Sequence, residues 1–157
     1  MSTMMIPSGV PGAESIRVPL ERLSKAEARI TEITGVTPAK APELLTCFNK
    51  AYLDASQWIA LLTKELASAE TYIKRTHSMI TLDRAPQILL DKGLTTARNP
   101  AGNADLRDAV IYSDPEYLDA VDRRDHIKAA LTLLKDKRTA YEMAFSAIKK
   151  ILGETEF

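Results

Sequence analysis

Between Glu43 and Leu82, the residues Leu45, Phe48, Tyr52, Ala55, Ile59, Leu62, Leu66, Ala69, Ile73, Thr76 and Ile80 follow one another at steps of three and four. A helix brings residues so spaced onto one face, and a run of this length is a heptad seam with one polar member. The spacing therefore predicts a long helix over about 43–82. Leu44, Ala51, Trp58, Tyr72 and Met79 repeat every seven residues beside the seam, interrupted by Glu65, so the apolar face is three positions wide. Such a face calls for more than one partner helix.

A second seam lies near the C-terminal end. Ser113-Asp114-Pro115-Glu116 has the features of a helix start: a capping side chain, Pro in the first turn and acid near the positive end of the dipole. Tyr117, Ala120, Arg124, Ile127, Leu131, Leu134, Arg138, Tyr141, Phe145, Ile148 and Leu152 then alternate by three and four, predicting a helix over about 115–152. Arg124 and Arg138 interrupt this seam, where they would specify register or pair with acids across an oligomer interface. At 1.5 Å per residue each helix would run about 55 to 60 Å, against about 40 Å for a compact globule of this chain length. The expectation is an elongated helical hairpin or bundle, and seams this long in one short chain favour a homo-oligomer.

The remaining segments are short. Residues 1–15 hold Pro7, Gly9, Pro11 and Gly12 among small polar residues and read as a flexible tail ahead of a single helical domain over 16–157. A short amphipathic helix is expected from Pro19 to Ile33, with Gly35 as a stop and Thr37, Pro38 and Pro42 as a stiff connector. Pro86, Gly93, Pro100 and Gly102 predict an irregular connector over about 83–113, with short helices near Ile88 to Lys92 and Asp105 to Tyr112. With aromatics at 6% and only six Gly, the composition favours helices over sheets, so the predicted class is all-α.

Lys plus Arg and Asp plus Glu both number 21, so no global field draws the chain to nucleic acid or anionic membrane. The single Cys47, among apolar residues, points to a buried thiol in a reducing compartment and hence to the cytoplasm. No basic region precedes a long apolar run at the N-terminus and no apolar stretch approaches ~20 residues, so neither secretion nor a membrane partner is expected.

Catalytic chemistry finds little support. His77 and His126 read as boundary or surface residues, and HExxH, CxxC and GxSxG motifs do not occur. The loop Asn99-Pro100-Ala101-Gly102-Asn103 has too few glycines for a phosphate loop and no Lys-Ser or Lys-Thr after it. Asp119 and Asp122 are explained by the helix dipole and solubility. Neither enzymatic activity nor a cofactor or metal is expected.

Charge distribution says more than its total. Eight basic residues lie between Arg123 and Lys150 (Arg123, Arg124, Lys128, Lys135, Lys137, Arg138, Lys149 and Lys150) against the three acids Asp125, Asp136 and Glu142. Lys128, Lys135 and Lys149 share one heptad position flanking the seam, with Glu142 as the exception, and could follow a phosphate backbone beside the stacking faces of Tyr141 and Phe145. Lys74 and Arg75 form a smaller basic point on the first long helix. The alternative is an ordinary solvated helix face, with Lys149 and Lys150 complementing the negative helix end and the aromatics buried in the seam.

The layout from about 45 to 152 resembles the UvsY-like recombination mediators of phages: a long first helix, a broken Pro and Gly stretch, a short helix, a turn and a last long helix. The turn is Asp114-Pro115-Glu116-Tyr117, and the last helix closes with Phe145-Ser146-Ala147-Ile148-Lys149-Lys150-Ile151, similar to that family's aromatic and Ala-Ile-Lys-x-Ile ending. The family tends to carry a denser basic cluster on its first long helix, where this chain has only Lys74 and Arg75. The resemblance implies single-stranded DNA, a RecA-type recombinase and a single-strand-binding protein as partners, with oligomers as the working form. Lys74, Arg75, Arg124, Lys128, Lys135, Arg138 and Lys149 are then the candidate DNA-binding residues. The competing expectation is a structural or interaction protein, a phage assembly factor or helical adaptor, whose seams are its function. At the C-terminus, Gly153-Glu154-Thr155-Glu156-Phe157 reads as a frayed helix end or as an acidic tip that docks a basic pocket on a partner.

Overall fold

A computed structural model describes residues 2–96, 98, 99 and 102–155 of the chain, with backbone only for Glu154 and Thr155. The fold is all-α apart from one small hairpin. Strands β1 (Thr3–Ile6) and β2 (Ile16–Pro19) are followed by helix α1 (Glu21–Ala28) and a 3-10 turn (Ile30–Gly35). Then come α2 (Ala41–Met79), a π turn (Ile80–Arg84), α3 (Ala85–Asp91), α4 (Ala104–Ser113) and α5 (Pro115–Thr155). Both predicted long helices are present, at 39 and 41 residues. The expected loop from Asn99 to Asn103 falls partly outside the described residues, at Pro100 and Ala101, as does the end of the acidic tip, Glu156 and Phe157.

The chain divides into two compact units. One comprises the chain up to Ile6, Ser15–Lys64 and everything from Lys128 onward; the other comprises Pro7–Glu14 and Glu65–Ile127. Each long helix contributes residues to both units.

In the first unit the segment expected to be a flexible tail supplies β1, paired antiparallel with β2 from Thr3 opposite Pro19 to Ile6 opposite Ile16. Strand alternation places Met4, Ile6, Ile16 and Val18 on one face, and Ile6 and Val18 are buried. That apolar alternation supplies the burial which the Pro and Gly between the strands seemed to deny. Leu23 and Ala26 of α1 are buried too, and the fully buried Tyr141 of α5 donates its hydroxyl to the Leu23 carbonyl at 3.1 Å. Burial, with the Glu27 carboxylate close by, pushes the Tyr141 phenol far above its usual ionisation range. Lys137 of α5 pairs with Glu27, so α1 is held to α5 by polar groups at both residues.

The buried stripe of α2 departs from the predicted seam at its start. Leu44, Phe48, Ala51, Ala55, Ile59 and Leu62 are buried, whereas Leu45 and Tyr52 are half-exposed. Steps of four therefore follow one another from Ala51 to Ala55 to Ile59. A straight α-helix drifts by about 20° per heptad, and such an extra step restores the buried face.

In the second unit the loop 7–14 lies on α2 through Glu65, the residue that interrupted the wide apolar face. Its carboxylate accepts from the Ser8 hydroxyl at 2.7 Å and the Gly9 N–H at 2.8 Å, while Arg123 donates to the Ser8 carbonyl at 3.1 Å. A Cβ on Gly9 would stand 2.7 Å from the Ala69 Cβ and 2.9 Å from its backbone, so glycine alone allows this approach.

Pro86 was expected to break the helix; the chain instead passes from α2 into α3 through the π turn, where the Ala85 N–H donates to the Ile80 carbonyl. The wider turn makes room ahead of the proline ring, and Pro86 then occupies the first turn of α3, where no N–H is needed. α3 ends in a Schellman motif, with Gly93 at φ 69° and the Leu94 N–H donating to the Leu89 carbonyl at 2.9 Å. Asn103 caps α4, accepting from the Leu106 N–H at 2.8 Å.

At the start of α5, Asp114 accepts from the N–H groups of Glu116 at 2.9 Å and Tyr117 at 3.3 Å, as the sequence signature predicts. Arg84 of the π turn reaches both Asp114 oxygens, at 3.0 and 3.2 Å, and also pairs with Glu116, which accepts from the Tyr72 hydroxyl at 3.0 Å. Burial alone would raise the Asp114 carboxyl, but Arg84 and the two N–H groups outweigh it and hold it below the usual carboxylate range. Arg84, then Tyr72, lower Glu116 likewise. Lowered folded-state values stabilise the fold above the ordinary carboxylate range, and that contribution is lost as pH falls through the lowered values, below about 4. Arg84→Met leaves the buried Asp114 without its cation and is expected to lower stability at pH 7. Urea melts at pH 7 and pH 3 check this: the gap between wild type and variant should shrink at pH 3, and an equal gap at both would refute the assignment.

Candidate nucleic-acid interface

The candidate residues fall on both units. In the first, α5 carries Lys128, Lys135 and Lys149, all exposed, with the exposed Lys150 beside the last. One heptad of helix separates Lys128 from Lys135 by about 10 Å along the axis, and the row turns by about 20° per heptad. Arg138 is half-buried because it lies over the Tyr52 ring, 5.9 Å from its centroid. Lys149 lies over Phe145 in the same way, at 4.8 Å.

In the second unit Lys74 and Arg75 are exposed on α2. Arg124, on α5, is half-buried and pairs with Asp125 at 3.1 Å. Among the described residues, Lys74, Arg75, Lys128, Lys135, Lys149 and Lys150 make no ion pair with a carboxylate. Arg123 and Lys137, counted in the basic excess, are instead committed to Asp119 and Glu27.

The two aromatics expected to offer stacking faces differ. Tyr141 is enclosed and its hydroxyl is used within the core, so it presents no free face. Phe145 is half-exposed and, with Phe48, Asn49, Tyr52, Tyr141, Glu142 and Ser146, lines a cleft of about 270 Å³ in the first unit. Asn49, Glu142 and Ser146 lie outside the candidate residues, and Glu142 is the acid in the row of lysines.

His126 is exposed, and His77 is half-buried with its ring edge-on to Tyr117 at 6.2 Å. Among the described residues no helix is long and apolar enough to cross a membrane. No family model, curated protein or solved structure matches the chain.

Proposed function

We propose that the protein is a non-catalytic DNA-recombination accessory protein that binds single-stranded DNA as a homo-oligomer and assists loading of a RecA-type recombinase, as the UvsY-like layout implies. One observation supports the DNA-binding core of this reading. Lys128, Lys135 and Lys149 stand exposed along one side of α5, without a carboxylate partner among the described residues, next to a cleft lined by the half-exposed Tyr52 and Phe145. Unpaired cations in a row release counterions when phosphates replace them, and half-exposed rings give unstacked bases a surface. Self-association is supported by the exposed Leu53, Leu61, Leu133 and Met143 of the first unit. The test is a titration of single-stranded DNA at several salt concentrations, with the mass in solution measured by light scattering. Salt-dependent binding by a species larger than 17.3 kDa is expected, and absence of binding at low salt would overturn the reading.

A second reading, a helical adaptor without nucleic-acid binding, is favoured by a groove in the second unit. Ile88, Leu89, Leu94, Leu106 and Val110 line about 310 Å³ between α3 and α4, and Leu90 is exposed nearby. It takes first place if the titration fails.

A further inference from the structure

The heptad row on α5 runs Lys128, Lys135, Glu142, Lys149, placing an acid where the spacing calls for a cation. An acid in that position weakens a purely electrostatic track for phosphates, so it calls for its own explanation. Arg138 stands four residues before Glu142, the spacing at which an ion pair forms readily on a helix, yet Arg138 lies over Tyr52 instead. Glu142 is exposed, pairs with no cation among the described residues, and lines the cleft with Asn49, Tyr52, Phe145 and Ser146.

We propose that this cleft takes one unpaired guanine from a single strand held on the lysine row, with Glu142 reading its Watson–Crick edge. The inference rests on the single-stranded DNA reading and gives it a base preference. At about 270 Å³ the cleft is at the small end of ligand sites, suited to one planar ring system. Phe145 and Tyr52 line the cleft, and Lys149 and Arg138, which lie over these rings, would swing off them onto the phosphates flanking an inserted nucleotide and free the ring faces for stacking.

Guanine is selected by chemistry. Its N1–H and N2 amino group are adjacent parallel donors, which the two oxygens of a carboxylate accept together. Adenine and cytosine set a ring-nitrogen acceptor beside their amino group, and thymine flanks its one N–H with two carbonyls, so each turns a lone pair toward Glu142. The Asn49 amide, in the same cleft, has the donor that guanine O6 requires.

The experiment titrates the full-length protein at low salt with labelled thymine oligonucleotides carrying one central guanine, adenine or cytosine, or none. Wild type is expected to bind the guanine strand about tenfold tighter than the others, in line with one bidentate contact in a partly open site. Glu142→Gln puts an amide donor against the guanine amino group; it should bind all four strands within about twofold of one another, with higher affinity for all-thymine because a negative charge is gone. Phe145→Ala should weaken every strand, and thermal melts establish that both variants fold. Salt-dependent binding of all four strands without a guanine preference, or a preference that survives in Glu142→Gln, overturns the cleft proposal and leaves the lysine row standing. No binding of any strand overturns the reading on which it rests, and this proposal with it.

Discussion

Changing Lys128, Lys135 and Lys149 together to Glu is expected to lower affinity for single-stranded DNA by about a hundredfold or more at 0.1 M salt. Each phosphate contact on a single strand contributes about 0.7 to the slope of log affinity against log salt, so three lost contacts flatten that slope by about 2. At 0.1 M the same three contacts account for roughly two decades of affinity, before any repulsion from the new carboxylates. All three side chains are exposed and make no ion pair among the described residues, so helicity and melting temperature should change little. Lys74→Ala with Arg75→Ala serves as a separate measure of the second unit, with a smaller expected loss because only two charges are removed. A triple variant that binds as tightly as wild type, with the same slope, makes the row a solvated helix face.

The long helices were legible because burial on a helix writes a period into the sequence, and Phe48, Ala55, Ile59 and Leu62 kept it. What the period could not reveal was which of two adjacent rows is buried. Leu44 with Ala51 and Leu45 with Tyr52 satisfy the same spacing, and the choice between them depends on neighbours that only the fold brings together. The hairpin is illegible for a different reason. Four-residue strands carry too little alternation to stand out beside Pro7, Gly9 and Pro11, and their stability comes from the burial of Ile6 and Val18. Pro86 misleads because a proline conflicts with a regular α-helix, whereas the π turn before it removes the conflict.

At the candidate site, the exposed row on α5 is readable from heptad position alone, since Lys128, Lys135 and Lys149 flank a seam that is largely buried. The division of labour among the other cations was not. Lys137 differs from Lys135 by two positions, yet it is spent on Glu27 of a helix more than a hundred residues away, and Arg123 holds the Ser8 carbonyl across a similar separation. The cleft is not legible in the sequence because Asn49 and Tyr52 come from α2 while Glu142, Phe145 and Ser146 come from α5, so no local motif joins them.

Replacing Ile59 and Leu62 by Asp is expected to unfold the protein at neutral pH. Leu62 is fully enclosed and Ile59 nearly so, one turn apart on the buried face of α2. Each substitution removes an apolar side chain worth about 2 to 5 kcal/mol and places a carboxylate without a partner where water is excluded. Two such losses are comparable to the whole stability of a domain, about 5 to 15 kcal/mol. Helix propensity offers little rescue, because most helical stability in proteins comes from tertiary packing of the apolar face. Burial raises the folded-state pKa of both new acids, so the folded form binds protons more tightly than the unfolded chain, and the penalty is largest above the folded values and shrinks as pH falls toward about 4. Far-ultraviolet circular dichroism from pH 7 to pH 4 therefore has a directional outcome: little helix at pH 7, with partial recovery on acidification. Full helicity and a wild-type mass at pH 7 would show that Ile59 and Leu62 do not carry the core, and the assignment of the buried face would have to be abandoned.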